Sequence, residues 1–397
     1  MNRSLQRTGP QRWVPLGYLG LAHLALGAAA AVTLWDSSGI AGFFYHPKMI
    51  AAVHALTLGW ISCSLIGILY VAGDRLGLRA TRLDVGILIA WGAGASGLVS
   101  HFWIEEFDGM TWSAGLLGLA ILVAAGRFGA VIAVTSLPAP IKLQINLAWL
   151  NLTSTAFIGV LLGIDRTIPI LPGYSLHNVF AHAHLAAVGW AFLLAVALGH
   201  LFLLAARRET LPAARLSVSG TVLAQLGAAG IFVSLLVDEP FVRVFAIVAL
   251  AGMTLCVVAL FVHARWAPPP ASRAASLVLF VALVWLVIAG GIGMSLFGAP
   301  RDGTGADPGA IMAYGVAGLL AGLGQGVFGL SLLWFRGLSA GPGRAWPAVA
   351  GWLLASPLLV VGLAGTYPVP IAAGAASLLL AVAWSAQSII ADARRAA

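Results

Sequence analysis

The chain has 397 residues, of which 60% are hydrophobic and only 9% charged, with a mean hydropathy of +0.98. A soluble protein solvates its surface with roughly 25% charged residues, so this composition excludes a water-facing globule and places the chain in a lipid bilayer. Two cysteines, Cys63 and Cys256, each inside an apolar run, exclude a disulfide framework, a four-cysteine zinc site and an iron–sulfur cluster, and no Cys-x-x-Cys-His is present for attached haem.

A spanning helix needs about 20 mostly apolar residues. Twelve such runs follow one another: 13–35, 48–72, 84–104, 112–135, 143–164, 178–205, 215–236, 241–264, 274–297, 309–335, 346–365 and 368–391. The first, preceded by the polar, basic stretch Met1 to Arg12, is too long and too closely followed by others for a cleaved leader, and is expected to be retained. The expected fold class is all-α: a polytopic membrane protein of twelve transmembrane helices, a single membrane domain over 1–397.

With the N-terminus in the cytoplasm, seventeen of the 21 basic residues fall on the inner side, and only Lys48, Arg166, Arg243 and Arg301 fall outside. Nine acids go outside: Asp36, Glu105, Glu106, Asp108, Asp165, Asp238, Glu239, Asp302 and Asp307. The bias follows the positive-inside rule. It predicts a bacterial-type cytoplasmic (inner) membrane location with both termini cytoplasmic. The net charge of +8 thus reports topology, with the lipid bilayer and not nucleic acid as partner.

Gly318, Gly322 and Gly326 on the tenth span have the spacing that lets helices approach closely, a packing feature. The second span carries His54 to Trp60, H-A-L-T-L-G-W, and the sixth carries His184 to Trp190, H-L-A-A-V-G-W, 130 residues later. A further 130 residues lands on Tyr314 of the tenth span, where His, Gly and Trp are lost. The spacing predicts three pseudo-repeats of four helices, near 13–135, 143–264 and 274–391. Trp60 and Trp190 are expected to pack helices.

Six histidines, His46, His54, His101, His177, His182 and His184, fall at or near outer helix ends or in outer loops, with His200 and His263 at inner ends and His23 near the middle of the first span. Ionisable groups in spans are costly and face bundle interiors or cavities, and imidazole is the commonest metal ligand. His182 and His184 lie about 200° apart around a helix axis, so each is expected to face a different neighbour.

The segments His46 to Trp60 and Ala181 to Trp190 resemble the second and sixth helices of subunit I of haem–copper oxidases. The likeness is to small subunit-I-like proteins near the C-type oxidases and nitric-oxide reductases, and more distantly to the NnrS family of haem- and copper-containing membrane proteins. The resemblance implies twelve helices in three arcs of four, with His54 as a ligand of a low-spin haem b and His182 or His184 matching a copper ligand. The family also needs histidines on helices 7 and 10; this chain has none there, and none after His263. What the resemblance implies is therefore a haem-binding accessory, electron-transfer, sensing or assembly protein, partnered by respiratory or assembly membrane proteins, with no catalytic residues of its own. The second axial ligand is left open among His184, His182 and His101. Two other readings stand beside it: a copper-handling site from His46, His177, His182 and His184, with Met49 as a thioether donor, and a transporter or structural subunit without cofactor, for which the mid-membrane candidates to line a substrate cavity are His23, Gln225 and Gln325.

Overall fold

The computed structural model describes residues 10–42, 44–76, 78–166, 168–172, 175–207, 211, 213–237, 241–265, 273–296, 307–335 and 344–395. Of the charges used above to orient the chain, Arg3, Arg7, Arg208, Glu209, Asp238, Glu239, Arg301, Asp302 and Arg336 lie outside them, as does the last residue of the ninth expected span.

Among the described residues there is no strand, and twelve helices are long and apolar enough to cross a membrane. They are α1 (Pro10–Trp35), α2 (Pro47–Gly73), α3 (Arg82–Ile104), α4 (Met110–Val134), α5 (Ala139–Asp165), α6 (Ser175–Ala205), α7 (Ala214–Leu236), α8 (Val242–Ala264), α9 (Arg273–Leu296), α10 (Pro308–Trp334), α11 (Trp346–Ala364) and α12 (Pro368–Ile390). Each begins and ends within a few residues of the corresponding apolar run, because a single segment can satisfy its own backbone where water is absent only as a helix. The starts of α2 and α10 are locally encoded. Pro47 and Pro308 occupy first-turn positions that need no N–H, and the side chains of His46 and Asp307 accept from the N–H groups of Lys48 and Gly309.

Three spans are more buried than the rest: α2 at 89%, α10 at 72% and α6 at 61%, against 22–56% for the other nine. The outer spans keep large apolar side chains such as Ile89, Leu119, Phe157, Phe280 and Val287 exposed, as lipid contact requires. The same three inner helices each contain a stretch of π-helix: Ala55–Ser62 in α2, Leu185–Phe192 in α6 and Val316–Gly324 in α10. These stretches begin 130 and 131 residues apart.

The chain divides into two compact units. The first comprises Met1–Val71, Leu98–Glu105 and Pro270–Ala397. In it α1 packs on α2 and α12, α9 on α10, and α11 on α10 and α12. The glycine stripe of α10 lies on α9: a β-carbon at Gly322 would stand 2.6 Å from the Leu286 side chain, and those at Gly318 and Gly326 would meet Ala289 and Ala282. The packing role read from the spacing is therefore what this stripe does.

The second unit comprises Ala72–Gly97 and Glu106–Pro269. Here α4 packs on α5, α5 on α6, α6 on α7 and α8, and α7 most closely on α8, where Gly220, Gly227 and Gly252 bring the two backbones into direct contact. Lipid offers no hydrophobic drive between helices, so such small-residue seams supply the attraction. Asp84, fully buried at the start of α3, accepts from the N–H and hydroxyl of Thr81 and pairs with the Arg127 guanidinium of α4, which also donates to the Arg79 carbonyl.

Candidate functional site

The two motif histidines have the same local geometry. His54 is the last α-helical residue before the π stretch of α2, and its Nδ1 lies 2.8 Å from the Ile50 carbonyl one turn back. His184 is the last before the π stretch of α6, with Nδ1 2.7 Å from the Phe180 carbonyl. A carbonyl only accepts, so each ring donates from Nδ1 and, when neutral, has its lone pair on Nε2. This is how proteins present an imidazole to a metal, with the second nitrogen fixing tautomer and ring orientation.

In the first unit, the end of α3 closes over the start of α2. The Phe102 ring stacks on His54 (centroids 5.2 Å apart, planes within 22°), and the Lys48 ammonium lies 5.2 Å from the Trp103 ring centre. His101, on the same turn of α3 as Phe102, is half-buried. His46 uses both ring nitrogens locally. Nδ1 accepts from the Lys48 N–H at 3.1 Å and Nε2 donates to the Gly39 carbonyl at 3.0 Å, so in this arrangement it caps α2.

In the second unit, His177, His182 and His184 share the first ten residues of α6. The His182 ring lies against Gly159 of α5, where a β-carbon would stand 3.1 Å from Cε1, while His184 is buried. Among the described residues no group of three or more His, Cys, Asp or Glu side chains is arranged to hold a metal ion.

The other residues of the repeated motif pack helices. Gly59 receives the Ala25 methyl of α1, and Gly189 receives the Asn151 side chain of α5. Trp60 is buried against Trp352 and the edge of His23, and Trp190 against Trp149. The mid-span polar groups are also paired. His23 bonds to the Leu19 carbonyl and to Ser385, Gln225 exchanges two hydrogen bonds with Asn151, and Gln325 bonds to Ser356 and the Val278 carbonyl.

A second polar cluster, with no role assigned to it from sequence, lies at the other end of α6. Gln144 of α5, His200 of α6, Ser217 and Thr221 of α7, and Cys256 and His263 of α8 are all buried and meet there. The available signal was the alternation of Gln144 near the start of α5, His200 near the end of α6, Ser217 and Thr221 near the start of α7, and His263 near the end of α8.

Set beside known proteins, the chain matches no family model and no curated protein. Fold and composition define the class: an all-α polytopic membrane protein with twelve helices of spanning length.

Proposed function

We propose that the chain is a haem b-binding membrane protein of the haem–copper oxidase subunit-I type with a reduced ligand set, acting in electron transfer, sensing or assembly and not as an oxygen reductase. The observation that carries this reading is the shared geometry of His54 and His184: same sequence motif, same Nδ1–carbonyl bond, same position at the head of a π stretch on an inner helix. π-helix is rare in proteins and frequent at functional sites, and each stretch here runs for eight or nine residues. The recurrence of such stretches in α2, α6 and α10, the three most buried spans, supports three pseudo-repeats each contributing its second helix to the interior.

A bound haem b would supply one-electron redox chemistry, its potential set by axial ligands and burial. The chain's own part is to hold and orient it. Ile50 keeps the His54 lone pair on Nε2 and Phe102 fixes the ring plane, and within the same unit His101 would be the second residue to hold the group. The absence of histidine from α7 and α10 removes the ligands that a reductase needs for a second haem and for copper. The charge distribution supports an inner-membrane location with both termini cytoplasmic, among respiratory or assembly proteins. Copper at His177, His182 and His184 is the alternative, without His46 as it now stands.

The test is haem content of the detergent-purified protein by the pyridine haemochrome, for wild type and for His54→Ala, His184→Ala, His182→Ala and His101→Ala. About one haem per chain, lost in His54→Ala and in one other variant, is expected. Haem-free wild type made with ample haem supply would sink the proposal.

A further inference from the structure

The cluster joining α5, α6, α7 and α8 has its protonation pattern set by backbone groups at both ends. At one end the Thr221 hydroxyl donates to the Ser217 carbonyl at 2.7 Å, which commits its only proton. Its oxygen, 3.0 Å from the Gln144 amide, must then accept, so the Gln144 NH₂ faces Thr221 and Ser217, also at 3.0 Å. The Gln144 Oε1 is thereby turned to His200, whose Nδ1 at 3.1 Å must carry a proton, leaving the His200 lone pair on Nε2. At the other end the backbone N–H of Ala213 donates to His263 Nε2 at 3.1 Å, so His263 carries its proton on Nδ1.

The two imidazoles are neighbours, with centroids 4.9 Å apart and planes at 69°. Among the described residues, His200 Nε2 and His263 Nδ1, both buried, are bonded to no protein atom. One is an acceptor and the other a donor, each needing the partner that the other's neighbour would satisfy.

A metal ion does not match this pair. It would need a lone pair on His263 Nδ1, which moves the proton to Nε2 and sets it against the Ala213 N–H, two donors facing each other. We propose instead that His200 and His263 bind one water molecule between them. The water accepts from His263 Nδ1–H and donates to His200 Nε2, as buried waters do when two to four polar partners surround them. The result is one continuous hydrogen-bonded chain running from Ala213 through His263, the water, His200 and Gln144 to Thr221 and Ser217. Cys256, whose Sγ lies 3.8 Å from Thr221 Oγ1, supplies the second donor to that hydroxyl. The site lies at the opposite end of α6 from His177, His182 and His184, so it stands independently of the haem reading.

The test is nitrogen NMR of full-length protein labelled with ¹⁵N-histidine in nanodiscs, with His200→Asn and His263→Asn used to assign the two rings. Both rings are expected protonated at Nδ1 and bare at Nε2, with a cross-peak between His263 Nδ1–H and water that disappears in His200→Asn. A ring protonated at Nε2, or a His263 Nδ1–H with no water contact, would overturn the proposal. So would saturable displacement of both ring signals by one equivalent of Zn²⁺, which would make the pair a metal site. The wild-type spectrum alone decides between these outcomes if a variant fails to fold.

Discussion

Asn151 of α5 reaches the π stretch of α6 and donates from Nδ2 to the Gly189 carbonyl at 3.1 Å, a contact made possible because residue 189 has no side chain. The other two π stretches have the same kind of partner. Trp60 Nε1 donates to the Gly324 carbonyl at 2.9 Å in α10, and the Cys63 thiol donates to the Leu58 carbonyl in α2. A π turn displaces backbone carbonyls from the regular ladder, and inside a membrane a side-chain donor must replace what is lost.

Substituting Gly189→Ala would put a methyl 2.5 Å from the Asn151 carboxamide carbon. A loss of about 1–3 kcal/mol is expected from this overpacking, read as a lower thermal midpoint in detergent. Gly118→Ala is the control: a β-carbon there meets nothing within 4 Å, and stability should not fall.

Trp60→Phe keeps the apolar ring and removes the donor to Gly324. The expected cost is about 1–3 kcal/mol, that of a buried carbonyl left unmet. The same thermal measurement checks it, and Trp190→Phe gives the comparison within the other motif.

The Asp84–Arg127 pair should be strongly coupled. Asp84 is fully buried and the Arg127 side chain is 19% exposed, so Asp84→Asn leaves a cation with little water and should cost about 3–5 kcal/mol. Adding Arg127→Leu to Asp84→Asn should recover part of that loss. A double-mutant cycle on thermal midpoints would read the coupling, and additive losses would contradict it.

Asp36 at the end of α1 is held below the usual carboxylate range by its hydrogen bond to the Lys48 ammonium and then by the Gly39 N–H. A depressed carboxylate contributes above its unfolded pKa, about 3.9, and that contribution is lost as pH falls through the lower folded value. Acidification below pH 4 should therefore loosen the α1–α2 connection, seen as faster amide exchange around Gly39. Asp36→Asn should remove this acid dependence and leave exchange fast at neutral pH.

Much of the fold was legible because each span is one uninterrupted apolar run, and the lipid requirement for helix leaves few alternatives. The packing roles of Gly322 and Trp60 followed from residue type in the same way. The π stretches were not legible: the tenth span has one although it lacks the His, Gly and Trp of the motifs in the second and sixth, so residue matching found only Tyr314. His46, a candidate ligand by its place among the outer-face histidines, stands before Pro47 as the cap of α2, with both ring nitrogens used locally. The Gln144–His200–His263 cluster needs four helices to converge, which no local pattern encodes.

The most direct test of the haem assignment is a dithionite-reduced minus oxidised absorption spectrum of the purified protein beside its His54→Ala variant. Sharp bands of a b haem are expected in the wild type, with their loss in the variant. A featureless wild-type spectrum after expression with ample haem, or one unchanged by His54→Ala, would contradict it.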